Sequence, residues 1–350
     1  MYLSSSFGQS PPLASAVCSG GTMTATTFRV ERPPIPASWG PSGPSIRSAS
    51  PSAPTLTATV PKELVHRAAV AEVMLTDWER QDDTRFRVAA QWPRSHSFFT
   101  PVDGEHHDPL MAVETIRQVG SLLGHAEFGI PFGQHFLLHD LSVEVHPEHL
   151  QVRQTPASLD IEVTCTEVKR RGSALVAMCY ETAVRRDGML AAKGRASYSC
   201  TSPAVYRRLR PAHVLSGALR PLPLTAPAAP QSVGRTSPAD VVLTPIGEPG
   251  RWQLRVDTRH PVLFDHPVDH VPGMLLLEAA RQAAAAVLER SSFLPLGITS
   301  EFQRYAELDA PCFIEAEYLG RSIRDGAERV RVTGHQDGGL VFTSTVSAAS

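Results

Sequence analysis

A chain of 350 residues with 42% apolar and 19% charged residues is long enough for two domains of ordinary size and apolar enough to give each a core. Its formal net charge of -2 leaves no electrostatic footprint for nucleic acid or an anionic membrane. The five cysteines, Cys18, Cys165, Cys179, Cys200 and Cys312, have no Cys-x-x-Cys spacing and no His-x-x-x-His companion, so no metal site is expected.

In chain order, residues 1–60 come first. They are rich in Pro, Ser, Thr and Ala, as in Pro33-Pro34-Ile35-Pro36 and Pro51-Ser52-Ala53-Pro54. Such a segment buries too little apolar surface to offset its ordering entropy and is expected to be disordered. It lacks the basic start and apolar core of a secretory signal, and no run of eighteen apolar residues follows, so a cytoplasmic location and no membrane are expected. Val70–Leu75 and Arg85–Gln91 then read as β segments. Asp108 offers an N-cap and Pro109 an N1 residue for a helix through about Glu127. Strand-like runs follow at His135–Val145, Leu159–Val168, Ser173–Val184 and Met189–Ser199. A Pro-rich linker spans 202–237. A second apolar helix, Pro272–Glu289, precedes strands at Ile298–Tyr305, Cys312–Tyr318, Arg329–Thr333 and Leu340–Val346.

The two halves repeat. Glu114, Arg117 and Gln118 recur as Glu278, Arg281 and Gln282, at an offset of 164 residues. Ile130-Pro131-Phe132-Gly133 maps onto Leu294-Pro295-Leu296-Gly297 at the same offset, and Val73-Met74-Leu75-Thr76 onto Val241-Val242-Leu243-Thr244 at 168. The second copy therefore lacks about four residues between its early strands and its helix. One Glu-x-x-Arg-Gln match has a chance of roughly one in ten thousand per position, so an ordered set of matches is a duplication. Two β segments, a helix apolar nearly all round and four strands, twice over, predict an α+β fold. It is a double hot dog, two antiparallel sheets each wrapped around a central helix. The domains are expected at 61–201 and 238–350.

A carboxylate on a buried helix is the informative residue, because an unpaired buried charge is expensive. Glu114, Arg117 and Gln118 share one helix face, as do Glu278, Arg281 and Gln282. The plain alternative is an exposed helix ion pair copied by duplication, worth only ~0.3–0.5 kcal/mol. The loops before the helices add His96 and His266, natural proton carriers near neutral pH. They lie 18 and 12 residues before Glu114 and Glu278, so the two copies differ here. The Gly273 amide, at a helix N-terminus, suits a carbonyl or oxyanion. No Gly-x-Ser-x-Gly elbow, phosphate loop or dinucleotide fingerprint occurs, and no cofactor is expected.

Glu72-Val73-Met74-Leu75-Thr76-Asp77, Pro93-Arg94-Ser95-His96-Ser97-Phe98-Phe99, Asp108-Pro109-Leu110, Glu114-x-x-Arg117-Gln118 and His125 resemble the first hot-dog unit of the A-factor biosynthesis family, and Asp265–Gln282 resembles the second. The resemblance covers about residues 61–346. It implies an acyltransferase that joins a 3-oxoacyl chain, carried on acyl carrier protein, to the primary hydroxyl of dihydroxyacetone phosphate. That is the first committed step toward γ-butyrolactone, furan or butenolide signals. It further implies Glu114 or Glu278 as proton acceptor, with His266 coupled to Glu114 and His96 to Glu278. Arg117, Gln118, Arg281, Gln282 and Gly273 are then the substrate-binding positions, and a homodimer is compatible with it. Two other readings remain open at this point: a hot-dog dehydratase or thioesterase acting on acyl thioesters, and a non-catalytic acyl-binding module.

Overall fold

The computed structural model describes residues 58–210, 214 and 220–350, all within one compact unit, Leu56–Ser350. The segment expected to be disordered lies outside the described residues except for its last three positions. Among the described residues no helix is long and apolar enough to cross a membrane.

The first buried helix, α1, is Pro109–Ala126; Asp108 caps it, its carboxylate accepting from the Leu110 amide at 2.9 Å, with Pro109 at N1. A short helix α2, Pro203–Leu209, lies in the expected linker, and the second buried helix, α3, is Gly273–Val287. Nearly every residue of α1 and most of α3 is buried, as their all-round apolar character requires.

The strands of the first half are β1 (Leu75–Arg80), β2 (Arg85–Trp92), β3 (His135–Val145), β4 (Ala157–Arg171), β5 (Ala174–Arg186) and β6 (Met189–Thr201). Those of the second are β7 (Leu243–Pro245), β8 (Arg251–Leu254), β9 (Pro295–Phe302), β10 (Cys312–Arg321), β11 (Glu328–Gln336) and β12 (Gly339–Ala348). Their order is β1-β2-β4-β5-β6-β3-β9-β12-β11-β10-β8-β7, with every pairing antiparallel. Read from either end, the order is the same under the duplication. The two expected sheets are therefore one, joined at a β3–β9 seam in which Asp140 faces Glu301 and Glu144 faces Gly297. At the seam a Cβ on Gly297 would lie 3.2 Å from the Val143 carbonyl and 2.9 Å from Ser347 Oγ, so the close approach favours glycine. Gly133, matched to it by sequence, instead turns the chain before β3 at φ 86°.

The repeat is visible atom by atom. Gln118 accepts from the Met74 amide and donates to the Glu72 carbonyl; Gln282 does the same with Val242 and Asp240. Val60 donates to the Leu75 carbonyl, and Ala228 to that of Leu243. Residues 228–235, at the end of the Pro-rich stretch, are thus structural equivalents of 60–67. The glutamine bridges also explain why Val70–Leu75 is no strand: 70–72 forms a 3-10 turn whose backbone is satisfied by a side chain, and β1 begins only at Leu75. Leu75 pairs with Ala90 and Leu243 with Leu254, so the offset passes from 168 to 164 inside the β1–β2 hairpin. The missing four residues belong to that hairpin. The loops that lead into α1 and α3 are equal in length.

Gln118→Ala would leave the buried Met74 N–H and Glu72 C=O without their partner, at about 1–3 kcal/mol for each group. Urea unfolding should show that loss with an unchanged m-value.

Candidate active site

Each buried helix carries a charged knot at its centre. Glu114 Oε1 accepts from Arg67 Nε at 2.9 Å and Nη2 at 2.7 Å, from Arg117 Nη2 at 2.8 Å and from Gln118 Nε2 at 2.7 Å; Oε2 accepts from Arg117 Nε at 2.9 Å. Glu278 is held in the same way by Arg235, Arg281 and Gln282. Arg67 and Arg235, which the sequence motif does not contain, sit at the offset of 168 that relates the early strands. They also cross between the halves: Arg67 Nη1 donates to the Val262 carbonyl at 3.4 Å and Arg235 Nη1 to that of Phe98 at 2.7 Å.

The electrostatics follow. Burial alone would raise the Glu114 carboxyl, but Arg117 and Arg67 outweigh it and hold it at about 2; Glu278 stands at about 2 for the same reason, under Arg235 and Arg281. A carboxylate this acidic, with both oxygens occupied and no solvent exposure, is a poor proton acceptor at neutral pH. Both glutamates are anchors for arginines. Gln118 and Gln282, expected to bind substrate, are fully buried and spend their amides on their own glutamate and the early-strand backbone.

The histidines sort differently from their sequence pairing. His96 Nδ1 accepts from the amides of Phe98 and Phe99, and its Nε2 lies 3.5 Å from Glu72. His260 does the same with Val262, Leu263 and, at 3.3 Å, Asp240. His260, 18 residues before Glu278, is therefore the counterpart of His96, and both hold loop turns. His266 has no counterpart; it lies 3.4 Å from Asp265, whose carboxylate accepts from the Ala68 and Ala69 amides.

A cavity of about 620 Å³ opens on only one of the two knots. Its polar end holds His66, Arg67, Arg117 and His266; its body is apolar, with Phe136, Leu138, Tyr180, Tyr198, Leu276 and Phe302; Gly273 and Met274, at the start of α3, line its wall. No side chain caps α3, in contrast to α1. Arg117 is 22% exposed, and its Nη1 makes no hydrogen bond among the described residues, whereas Arg235 and Arg281 are each 3% exposed and lie off the cavity with Glu278, Gln282 and His96. The closed half is filled by named residues. Phe98 lies under Arg235 at 4.2 Å, where the open half has Val262; Ala284 and Ala285 replace Gly120 and Ser121; Phe293 abuts Gly234. Gly234 (φ 66°) and His66 (φ 54°) occupy the same left-handed position, and the imidazole is strained into it on the cavity side alone. Burial, then Arg117, His125 and His266, keep the His66 ring neutral, at about 3.

The profile of the A-factor biosynthesis hotdog domain matches residues 48–202 and 218–349. A 2-oxo-3-(phosphooxy)propyl 3-oxoalkanoate synthase of Streptomyces virginiae is 56% identical over 83% of this chain and 98% of its own. Proteins of the same name from Streptomyces coelicolor and Streptomyces griseus are 47% and 44% identical, over 82% and 81% of this chain and 91% and 94% of theirs. The chain belongs to the A-factor biosynthesis hot-dog family. Among solved structures, a putative oleoyl thioesterase from Lactobacillus plantarum aligns at TM-score 0.48 and 13% identity, covering 76% of this chain and 96% of its own. An acyl-ACP thioesterase from Bacteroides thetaiotaomicron aligns at 0.47 and 12%, covering 75% and 98%.

Because both knot carboxyls are held below their ordinary 4.5, the stability they supply is full above that value and is lost as pH falls toward about 2. Glu114→Gln should cost about 3 kcal/mol at pH 7 by stranding the buried Arg67 guanidinium and the half-buried one of Arg117. Measured by urea unfolding, its deficit against the wild type should shrink between pH 4.5 and pH 3.

Proposed function

We propose that this chain transfers a 3-oxoacyl group from acyl carrier protein to the primary hydroxyl of dihydroxyacetone phosphate, and that it does so at the open knot. The product is the phosphorylated 3-oxoalkanoate ester, the first committed intermediate of a γ-butyrolactone-type signal. The name of the relatives describes that product, and the identity to them runs over most of the chain.

The observation that carries the reading is one cavity lined by Arg67 and Arg117, by apolar side chains and by the uncapped start of α3. A phosphate dianion suits Arg117, whose Nη1 is a spare donor at the cavity wall beside Arg67. Glu114 fixes the guanidinium planes, so the site pays little ordering entropy on binding. His66, neutral, and His266 complete that end. A volume of about 620 Å³ lies within the ordinary range for a small-molecule site, and its apolar residues suit an acyl chain. In this reading the Gly273 and Met274 amides, at the cavity wall and uncapped, polarise the thioester carbonyl, and the helix dipole favours the oxyanion. The hydroxyl oxygen bonds to the acyl carbon, the C–S bond breaks and the carrier thiol leaves.

The purified protein, given a 3-oxoacyl carrier thioester and dihydroxyacetone phosphate, should yield the ester by mass spectrometry. Hydrolysis or dehydration of the thioester without the triose phosphate would overturn the reading. Arg117→Lys keeps the charge and loses the planar fork, so KM for dihydroxyacetone phosphate should rise about tenfold or more. Arg281→Lys, in the closed half, should leave that KM unchanged.

A further inference from the structure

We infer that His270, oriented by Asp269, is the general base of the open site; the assignment rests on the reaction proposed above. Proton acceptance needs a group that neither glutamate supplies, since each is fully engaged by arginines. His270 lies in the loop that leads into α3, three residues before Gly273, and lines the cavity. Its Nδ1 is 2.7 Å from Asp269 Oδ1, so Nδ1–H donates to the carboxylate and Nε2 is left with its lone pair.

Asp269 is itself positioned. The Tyr206 hydroxyl, from α2, reaches both its oxygens at 2.7 and 2.8 Å. Arg210, which follows α2, donates to the Asp269 carbonyl at 3.0 Å while gripping Glu307 with two bonds of 2.7 Å. Burial opposes ionisation of Asp269, but the His270 and Tyr206 hydrogen bonds and the Arg210 charge outweigh it and hold the carboxyl below its usual range. The His270 ring meets Tyr305 edge-on at 4.7 Å. Asp269, His135 of β3 and Tyr305 face His270; Tyr206 and Arg210 from the α2 segment pack on Asp269, and Glu307 is held by Arg210.

The other histidines of the cavity are worse placed. His66 Nε2 faces His125 Nε2 at 2.7 Å, and its ring is held neutral with little affinity for a second proton. His266 has only a 3.4 Å approach to a carboxylate already taken by two backbone amides. His135 lies flat on Tyr206 at 3.6 Å, and His139 Nε2 is engaged with Ser199 Oγ at 2.8 Å. The duplication supplies a control: His106 occupies the position of His270 at the 164-residue offset, but it lies outside the cavity and 3.4 Å from Asp103. In the reaction, the attacking hydroxyl gives its proton to His270 Nε2 as its oxygen bonds to the acyl carbon. The C–S bond then breaks, and His270 returns that proton to the departing thiolate.

Steady-state kinetics of the full chain, with a 3-oxoacyl carrier thioester and dihydroxyacetone phosphate, test this. His270→Gln should lower kcat by about 10²–10⁴-fold with both KM values near wild type, and abolish the acid limb of the pH–rate profile. Asp269→Asn should lower kcat less and move that limb to lower pH, since the imidazolium loses its counter-charge. His106→Gln should behave as wild type. Near-wild-type kcat in His270→Gln would overturn the assignment, as would the kcat loss and the acid limb tracking His266→Gln instead. In either case the ester still forms from the wild type, and the reaction stands. A wild type that forms no ester removes the reaction and the base together. If His270→Gln fails to fold by circular dichroism, Tyr206→Phe, which deletes one hydroxyl, should still lower kcat at constant KM and displace the acid limb; an unchanged profile there would overturn the inference.

Discussion

Two buried carboxylates, each locked by two arginines and a glutamine, are what the rest of this molecule is arranged around. Taking such charges out of water costs several kcal/mol per ion, and it is tolerated only where nearly every donor and lone pair is met. Here the donors come from the helix itself and from a turn some forty residues earlier, whose arginines also donate to the Val262 and Phe98 carbonyls of the opposite half. Each knot is at once a core, a clasp between the halves and a device for holding a guanidinium plane still. The glutamates do not titrate near neutral pH. What they supply is a fixed cation.

From that shared frame the halves diverge through a few side chains. A phenylalanine beneath Arg235, two alanine methyls on α3 and Phe293 fill one site; valine, glycine and serine leave the other hollow. The caps differ in the same sense. Asp108 satisfies the start of α1, whereas no side chain caps α3, which begins after Pro272 with Gly273 and Met274 lining the cavity. Side-chain volume alone separates the closed half from the open one.

The sequence carries the fold well because its signals are local. Periodicity, the Asp108-Pro109 start and the repeated Glu-x-x-Arg-Gln each report on a few neighbouring residues, and β3 falls at the expected His135–Val145. Relations between distant residues were harder to read. Arg67 and Arg235 share the offset of the early strands, so the repeat contained them, but nothing local marks an arginine as a partner of a glutamate 47 or 43 residues away. His96 and His266 both precede a helix glutamate, but the counterpart of His96 is His260, so the spacings of 18 and 12 are no difference in loop length. The hairpin β1–β2 absorbs the four residues instead. The inequality of the two sites depends on which side chains fill space in three dimensions, and no offset reveals it.

The β3–β9 seam has one further consequence. Two hot-dog units in separate chains associate only as far as their concentration allows, and a change in one gene alters both copies. Here the seam and the covalent linker make the pairing intramolecular, so the effective concentration of one half for the other is fixed and dilution cannot part them. A substitution now falls on one half alone. That freedom lets one half fill in around Arg235 and Arg281, while its twin keeps a left-handed His66 and a half-buried Arg117 at a cavity wall.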